Sequence, residues 1–508
     1  MSTFPQPFKS SVSHWQATNR GTQSLYGYNK DGKPPAQADI VIVGGGTMGA
    51  SLSYFLTRDG AEGAGRKVVL LEAKDIGSGA SGRNGGHVAP AHYLRFKSYQ
   101  RPMPAGTGAS EEEVVKIIQA ERTNLEIVED IVRKEGIAEE IEWWRGELMN
   151  THTAGQLEDN LALYNDWLAA RKKYLGVDDD AGVRFVKNKL EAAKLSRMKD
   201  VVSVDFAPTG SVHSHKLCTA LMRLAIQSSF SDFELVTWCP VNSVVPKREK
   251  WIVKTAKGDI LTRKVILCTN AHTHNFFPKG DPVGDFIAPC FVQCSHITPP
   301  PPFSGTGAFK NTVRSHHGWY WMQTKGGGIV IGGGDDDLVD NRTHEEGFNL
   351  FIEDDSKPME AWTKLQSKYM PNNFPRWGEE AEGEGLDRAW GGILTRTKDT
   401  LPLIGEVPGK KGMLIAAGFH GHGQSRIFSV AKALSKQLAT GRYDTELLPQ
   451  SFELTMERLQ RCRTVRFPGH EQEGLVQEYV NVEQSVWEEK ASARVEVRAE
   501  RQRWCVIM

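Results

Sequence analysis

Three glycines, Gly44, Gly46 and Gly49, stand at G-x-G-x-x-G spacing within Gly44-Gly45-Gly46-Thr47-Met48-Gly49. That spacing suits a pyrophosphate. Gly44 permits a tight turn, Gly46 lets the backbone approach the phosphates, and Gly49 lets the following helix lie close to the preceding strand. Thr47 and Met48 open that helix, so its positive N-terminal end faces the phosphate charge. Glu72, followed by Ala73, closes the next apolar run. A carboxylate there can accept hydrogen bonds from a ribose diol. A β–α turn that merely needs glycine would account for the glycines, but not for the acidic residue in that place.

A second glycine-rich stretch follows at once: Gly77-Ser78-Gly79-Ala80-Ser81-Gly82-Arg83-Asn84-Gly85-Gly86-His87. A nicotinamide enzyme has no need of it. A flavin enzyme does, because the chain must pass beside the pyrophosphate and then edge the isoalloxazine. Ser81, Arg83, Asn84, Gly85, Gly86 and His87 are the candidate cofactor contacts, with Arg83 and Asn84 supplying charge and hydrogen bonds. A plain flexible loop would not require Arg-Asn-Gly-Gly.

These motifs resemble those of the D-amino-acid-oxidase-like FAD superfamily. The closest likeness is to its glycine/sarcosine oxidase and γ-glutamylputrescine oxidoreductase group, whose members often carry a GASGRNGG-type segment. The resemblance spans about residues 38–445. It implies that Val241, after a strand at 233–238, meets the adenine through its backbone. It also implies that Thr269 and Asn270, at the end of Val265-Ile266-Leu267-Cys268-Thr269-Asn270-Ala271, return beside the FAD. Gly392, in Trp390-Gly391-Gly392-Ile393 ahead of Asp399, Pro402 and Gly405, resembles the C-terminal cofactor signature. Gly418-Phe419-His420-Gly421-His422-Gly423 resembles the turn leading into a helix whose N-terminus points at the flavin pyrimidine, where it stabilises negative charge. Gly210-Ser211-Val212-His213 opens a helix as the family's Gly-x-x-x-Pro segment does, with Ser214 and His215 in place of the proline.

The departures also carry information. Sarcosine oxidases attach FAD to a cysteine seven residues before the signature aspartate, where this chain has Gly392. The dimethylglycine-dehydrogenase group uses a histidine where this chain has Asn84. Non-covalent FAD is therefore expected. The oxygen-activating lysine of sarcosine oxidases is replaced by Val330, which weakens the expectation of rapid reaction with oxygen.

His420, Tyr320 and His87 are the candidate catalytic side chains, and His422 is expected to support the turn. In Trp319-Tyr320-Trp321-Met322, alternation puts Tyr320 and Met322 on one face and both tryptophans on the other. Packing explains most of these; an aromatic wall around an amine explains the rest. Hydride transfer from a neutral amine needs orientation and desolvation rather than a strong protein base. The implied reaction is oxidation of CH–NH to an imine, with molecular oxygen taking the electrons to give hydrogen peroxide. The pairs His213/His215, His272/His274, His316/His317 and His420/His422 lack a carboxylate or cysteine at matching spacing, so no metal is expected.

The elements that must position these residues are legible in outline. Ile40–Val43 and Val68–Leu71 read as strands buried on both faces, with a helix between them. Helices are predicted over 110–135, 155–175, 187–198, 213–228 and 424–440, with Gly441 as the residue that ends the last. Strands are predicted at 233–238, 251–255, 260–268, 319–323, 328–332 and 413–417. The expected fold is α/β: a Rossmann-like FAD domain from residues 38–100, 200–280 and 386–445, and a mixed-sheet α+β substrate domain from 101–199 and 281–385. An extended leader over 1–37, held by Trp15, Tyr26 and Tyr28, precedes them, and an extension over 446–508 follows.

At 508 residues the chain is too long for one core. Lys+Arg and Asp+Glu balance at 62 each, which gives no reason to expect nucleic acid. Seven scattered cysteines without a CxxC pair point to a reducing, cytoplasmic setting. The first residues lack the apolar run of a secretory signal, and no stretch approaches ~18 uninterrupted apolar residues. Cys505-Val506-Ile507-Met508 fits C-a-a-X with a farnesylation preference, which predicts reversible membrane association. Alternatives in view are a dehydrogenase of the same fold serving a quinone or protein acceptor, a biosynthetic flavin oxidase, and a prenylated scaffold with a structural FAD.

Overall fold

The computed structural model describes residues 9–58, 60–61, 63–334 and 350–468. Cys505 and the tail read as a prenylation signal lie outside them. Met1–Val465 forms one compact unit, which contains every element named below.

In chain order the strands are β1 (Gln37–Val43), β2 (Lys67–Leu71), β3 (His87–Val88), β4 (Trp144–His152), β5 (Arg184–Val186) and β6 (Ser203–Ser211). Then come β7 (Asp232–Val236), β8 (Val241–Lys247), β9 (Lys250–Thr255), β10 (Ile260–Leu267), β11 (Ile287–Thr298) and β12 (Thr312–Arg314). The last are β13 (Tyr320–Gln323), β14 (Ile329–Gly332), β15 (Gly385–Thr397), β16 (Leu403–Glu406) and β17 (Met413–Ala417). Among the described residues they form two sheets. An eight-stranded sheet runs β16-β17-β10-β1-β2-β7, with β9 on β10 and β8 on β9. A nine-stranded sheet runs β15-β11-β14-β13-β12-β4-β6-β3, with β5 on β6.

The centre of the first sheet is parallel, β1 pairing with both β2 and β10. Ile40, Val41 and Ile42 are fully buried, as both faces of a helix-covered parallel sheet require. Each such side chain contributes about 1.5–3 kcal/mol on burial. Helix Thr47–Leu56 follows β1, with helices Ser214–Ile226 and Ile427–Thr440 packed beside it. His213 caps the second of these: its Nδ1 accepts from the Lys216 N–H at 3.2 Å, the service a proline at that helix start could not perform.

The second sheet carries apolar clusters on both faces. Val313, Trp319, Trp321 and Ile331 pack with Tyr369, Met370 and Phe374 of helix Glu360–Asn373. Met322, Val330 and Cys294 cluster with Trp15 and Trp390.

The leader is not extended throughout. Ser13 and Gln16 form a capping box over a short helix, His14–Ala17, and Trp15 is fully buried. Tyr26 stacks near His215, whereas Tyr28 is exposed. The last long helix starts at Ile427 rather than 424, because Gly423–Ser425 forms a tighter turn first.

Candidate functional site

The first glycine turn is built for close approach. Gly44 has φ +110°, and a Cβ there would lie 2.7 Å from the Cys268 carbonyl oxygen. A Cβ on Gly49 would lie 2.0 Å from the Gly44 carbonyl oxygen, so only glycine lets the helix start here. Met48 is buried beside Thr47, whose Oγ1 is buried at the helix N-terminus with no hydrogen-bond partner. The Thr47 N–H donates to Ser81 Oγ at 2.7 Å, and a Cβ on Gly46 would meet that same oxygen at 2.8 Å. Glu72 Oε2 accepts from the Gly45 N–H at 2.6 Å and Oε1 from the Lys74 N–H at 2.8 Å. Burial pushes its carboxyl pKa up, against the pull of those two donors. Ala73 beside it is exposed.

The second glycine-rich segment is clamped rather than loose. Asn84 Oδ1 accepts from the Gly86 N–H at 2.9 Å and from Ser214 Oγ at 2.5 Å, and its Nδ2 donates to the Ser81 carbonyl at 3.0 Å. Arg83 is buried. It donates through Nε to the Ser78 carbonyl, through Nη1 to the Gly391 carbonyl and through Nη2 to the Ser11 carbonyl. Its charge faces Asp355 at 3.7 Å. Its guanidinium joins the leader, this segment and β15. Gly392 lies against it, a Cβ there falling 3.4 Å from the Arg83 Cβ.

Gly85 and Gly86 make room for aromatic neighbours. A Cβ on Gly85 would lie 2.5 Å from the Tyr320 ring, and one on Gly86 2.7 Å from Met322 Sδ. His87 meets the Tyr320 ring edge to face at 5.4 Å. Neither His87 ring nitrogen makes a hydrogen bond, although the Gly85 and Trp321 carbonyls lie nearby. Burial pushes this imidazole down to about 4.

Across the eight-stranded sheet, Val241 is buried at the start of β8, and Thr269 Oγ1 bonds Thr273 Oγ1 at 2.8 Å. Asn270 has φ +44°, and its Oδ1 accepts from the Gly418 and Phe419 N–H groups at 3.1 and 3.2 Å. Asn270 therefore holds the last turn. That turn has left-handed backbone at Gly418, His420 and Gly421, and Phe419 is buried. A Cβ on Gly423 would touch Ile427 at 3.2 Å. His420 Nδ1 accepts from the Thr397 N–H at 3.1 Å. Burial, then Arg396, drives His420 well below its ordinary pKa; burial, then Arg426, does the same to His422. Both imidazoles are neutral at pH 7. The site thus unites His87 with Tyr320, while His420 is fastened to β15.

Other histidine pairs do structural work. His213 Nε2 and His215 Nδ1 bond Thr18 and Asn19 of the leader. Glu353 Oε1 lies 3.5 and 3.3 Å from ring nitrogens of His272 and His274. Among the described residues no three His, Cys, Asp or Glu side chains are arranged to hold a metal, and no helix is long and apolar enough to cross a membrane. Six cysteines there are free and buried.

Sequence reasoning missed a polar cluster beside the last turn. Arg426 Nε pairs with Glu121 at 2.7 Å, both fully buried, and its Nη2 donates to Tyr99 Oη. Ser425 Oγ donates to the Ala89 carbonyl at 2.6 Å, tying the turn to the segment after β3. Gln424 Oε1 and Nε2, Arg95 Nε and Arg426 Nη1 are buried without hydrogen-bond partners. No spacing signals these residues, which come from loops and helices far apart in the chain. The glycine cradle, the helix N-terminus and these orphaned polar atoms fit a dinucleotide flavin and a small polar substrate.

A family model described as FAD dependent oxidoreductase matches residues 39–437. A probable oxidoreductase OrdL from Rhizobium meliloti is 24% identical over 442 residues, covering 85% of this chain and 88% of that protein. L-proline dehydrogenase from P. horikoshii is similar in structure, with a TM-score of 0.64 at 19% identity over 85% of this chain and 100% of the other. Glycine oxidase from Geobacillus kaustophilus gives 0.61 at 19% identity over 83% and 99%.

Proposed function

The chain belongs to the FAD dependent oxidoreductase family, and we propose that it oxidises the C–N bond of an amine or secondary-amino-acid-like small molecule to an imine, oxygen taking the electrons as hydrogen peroxide. One observation carries this reading. Asn270 holds the Gly418–Gly423 turn on the strand that flanks the Gly44 turn, while Tyr320 covers Gly85 of the intervening segment. Gly44–Gly49, Glu72 and Ser81 would hold the dinucleotide, non-covalently, in the eight-stranded sheet; the nine-stranded sheet would present the substrate. Bound flavin supplies a two-electron acceptor. The chain's own contribution is orientation and exclusion of water. Tyr320 and Met322 share one face of β13, and neutral His87 meets the Tyr320 ring there. A desolvated site of this kind favours the uncharged amine, the form that can lose hydride.

A second reading, a dehydrogenase serving a quinone or protein acceptor, is favoured by Val330, which is fully buried against Trp15 and Trp390 where a lysine would activate oxygen. Both kinds of enzyme occur among the fold neighbours. Turnover of an amine panel under air with peroxide detection, repeated with a quinone analogue, decides between them. Stoichiometric peroxide supports the oxidase; dye reduction without peroxide supports the dehydrogenase.

A further inference from the structure

Strands β2 and β7 pair in parallel along their length, so Glu72 and the residues after Val236 leave the sheet at the same end. Ligands of open parallel sheets bind beyond the carboxyl ends of the strands. The two chains stay joined past β7: the Cys239 N–H donates to the Glu72 carbonyl at 2.9 Å and the Trp238 N–H to the Lys74 carbonyl at 3.2 Å. Trp238 therefore stands beside the carboxylate read as the ribose acceptor, three residues before Val241.

Trp238 is an unusual residue for this place. Its backbone is left-handed, with φ +52°, a region that bulky residues avoid. Its side chain is 44% exposed, although few groups gain more from burial than an indole. The ring is nevertheless held in one orientation. Its Nε1–H donates to Asp75 Oδ1 at 3.0 Å, and the same oxygen accepts from the Gly27 N–H at 2.7 Å. The leader also braces the end of β7: Asn29 Nδ2 donates to the Leu235 carbonyl at 2.9 Å, and Thr237 Oγ1 donates to the Tyr28 carbonyl. Ala73, exposed between Glu72 and Lys74, has too little bulk to cover the ring itself. A strained backbone, an exposed indole and a fixed orientation together make a surface prepared for a flat ligand.

We propose that Trp238 is the stacking platform for the adenine ring of the FAD, and that this indole sets much of the chain's preference for FAD over FMN. The proposal rests on the reading of the Gly44 turn and Glu72 as the FAD site and is independent of the substrate. Every base offers a π-face that an aromatic side chain can stack on. The bond to Asp75 orders the indole before the ligand arrives, which lowers the entropic cost of binding. Glu72 would accept from the ribose of the same nucleoside. FMN lacks the adenosine half and gains nothing from Trp238.

The test is binding, not turnover. Flavin-free protein is titrated with FAD and with FMN while flavin fluorescence is followed, and the thermal midpoint is recorded without flavin. Trp238→Asn removes the ring and supplies a side chain that tolerates left-handed backbone, so the flavin-free midpoint should not fall. The variant should bind FAD about tenfold or more weakly and FMN as the wild-type protein does. Trp238→Phe keeps a ring without the bond to Asp75 and should fall between the two. An unchanged FAD affinity in Trp238→Asn, an equal loss for FAD and FMN, or a flavin-free midpoint that falls along with the affinity overturns the proposal. In each of those cases the wild-type protein still binds FAD, and C–N oxidation is still judged by flavin reduction. A wild-type protein that binds neither flavin overturns the FAD reading as well.

Discussion

Replacing Trp15 tests whether the leader positions the flavin-binding segment. Trp15 is fully buried, packs with Cys294, Met322, Val330 and Trp390, and donates its indole N–H to the Asn84 carbonyl at 2.6 Å. Ser13 Oγ donates to the Gly82 carbonyl and Gln16 Nε2 to the Ser78 carbonyl, so several leader side chains hold the same stretch. Trp15→Ala removes the packing, about 3–5 kcal/mol for such a truncation, and leaves a carbonyl unpartnered. Trp15→Phe retains most of the apolar bulk and isolates the lost hydrogen bond, about 1–2 kcal/mol. If that loss falls on the segment that carries Ser81 and Asn84, FAD affinity drops about tenfold. The assay is reconstitution of apoprotein with FAD, followed by flavin fluorescence, alongside thermal unfolding. Trp15→Phe should weaken FAD and lower the midpoint together. An unchanged FAD affinity with a lowered midpoint would refute the positioning role and leave Trp15 as core packing alone.

Gly49→Ala places a methyl 2.0 Å from a backbone oxygen that cannot yield, so the variant should lose flavin or fail to fold; a yellow, stable protein on purification would contradict the close-packing account. Glu121→Gln should destabilise by about 3–5 kcal/mol, measured by denaturant unfolding, because Arg426 stays buried without its counter-charge. Stability should fall with acid. His14 and His213 are held near about 3, and His215 near about 4, chiefly by burial. The unfolded chain takes up protons near pH 6.5 while the folded chain does not, so stability is complete above that pH and is lost as pH falls toward 4. Each of these histidines removes about 2 kcal/mol at pH 5. A thermal midpoint that stays flat from pH 7 to 5 would contradict this.

The parallel strands and the glycine turns were legible because their signals are local. Ile40–Val43 is a β-branched run, and Gly44, Gly46 and Gly49 answer to steric contacts within one βαβ unit. The alternation in β13 also resolved its two faces correctly, Trp319 and Trp321 in the core and Met322 opposite. Strands β4, β6, β11 and β15 escaped notice. Pro208 and Pro289 interrupt β6 and β11, and Gly391 and Gly392 made β15 read as cofactor signature alone, whereas it pairs with β11 along its length. The leader helix was hidden by its brevity. Strand β12 was invisible for another reason: it spans only Thr312–Arg314, and its register against Tyr320 and Asn150 is set by partners far away in sequence.

The most direct test of C–N oxidation is anaerobic addition of amines and amino acids to the purified protein, with the flavin band near about 450 nm followed by absorbance. Bleaching of that band by an amine, with an imine-derived carbonyl product in equal amount, is the predicted result. A bound flavin that no amine in the panel reduces, but that a substrate without a C–H next to nitrogen does reduce, would contradict the account.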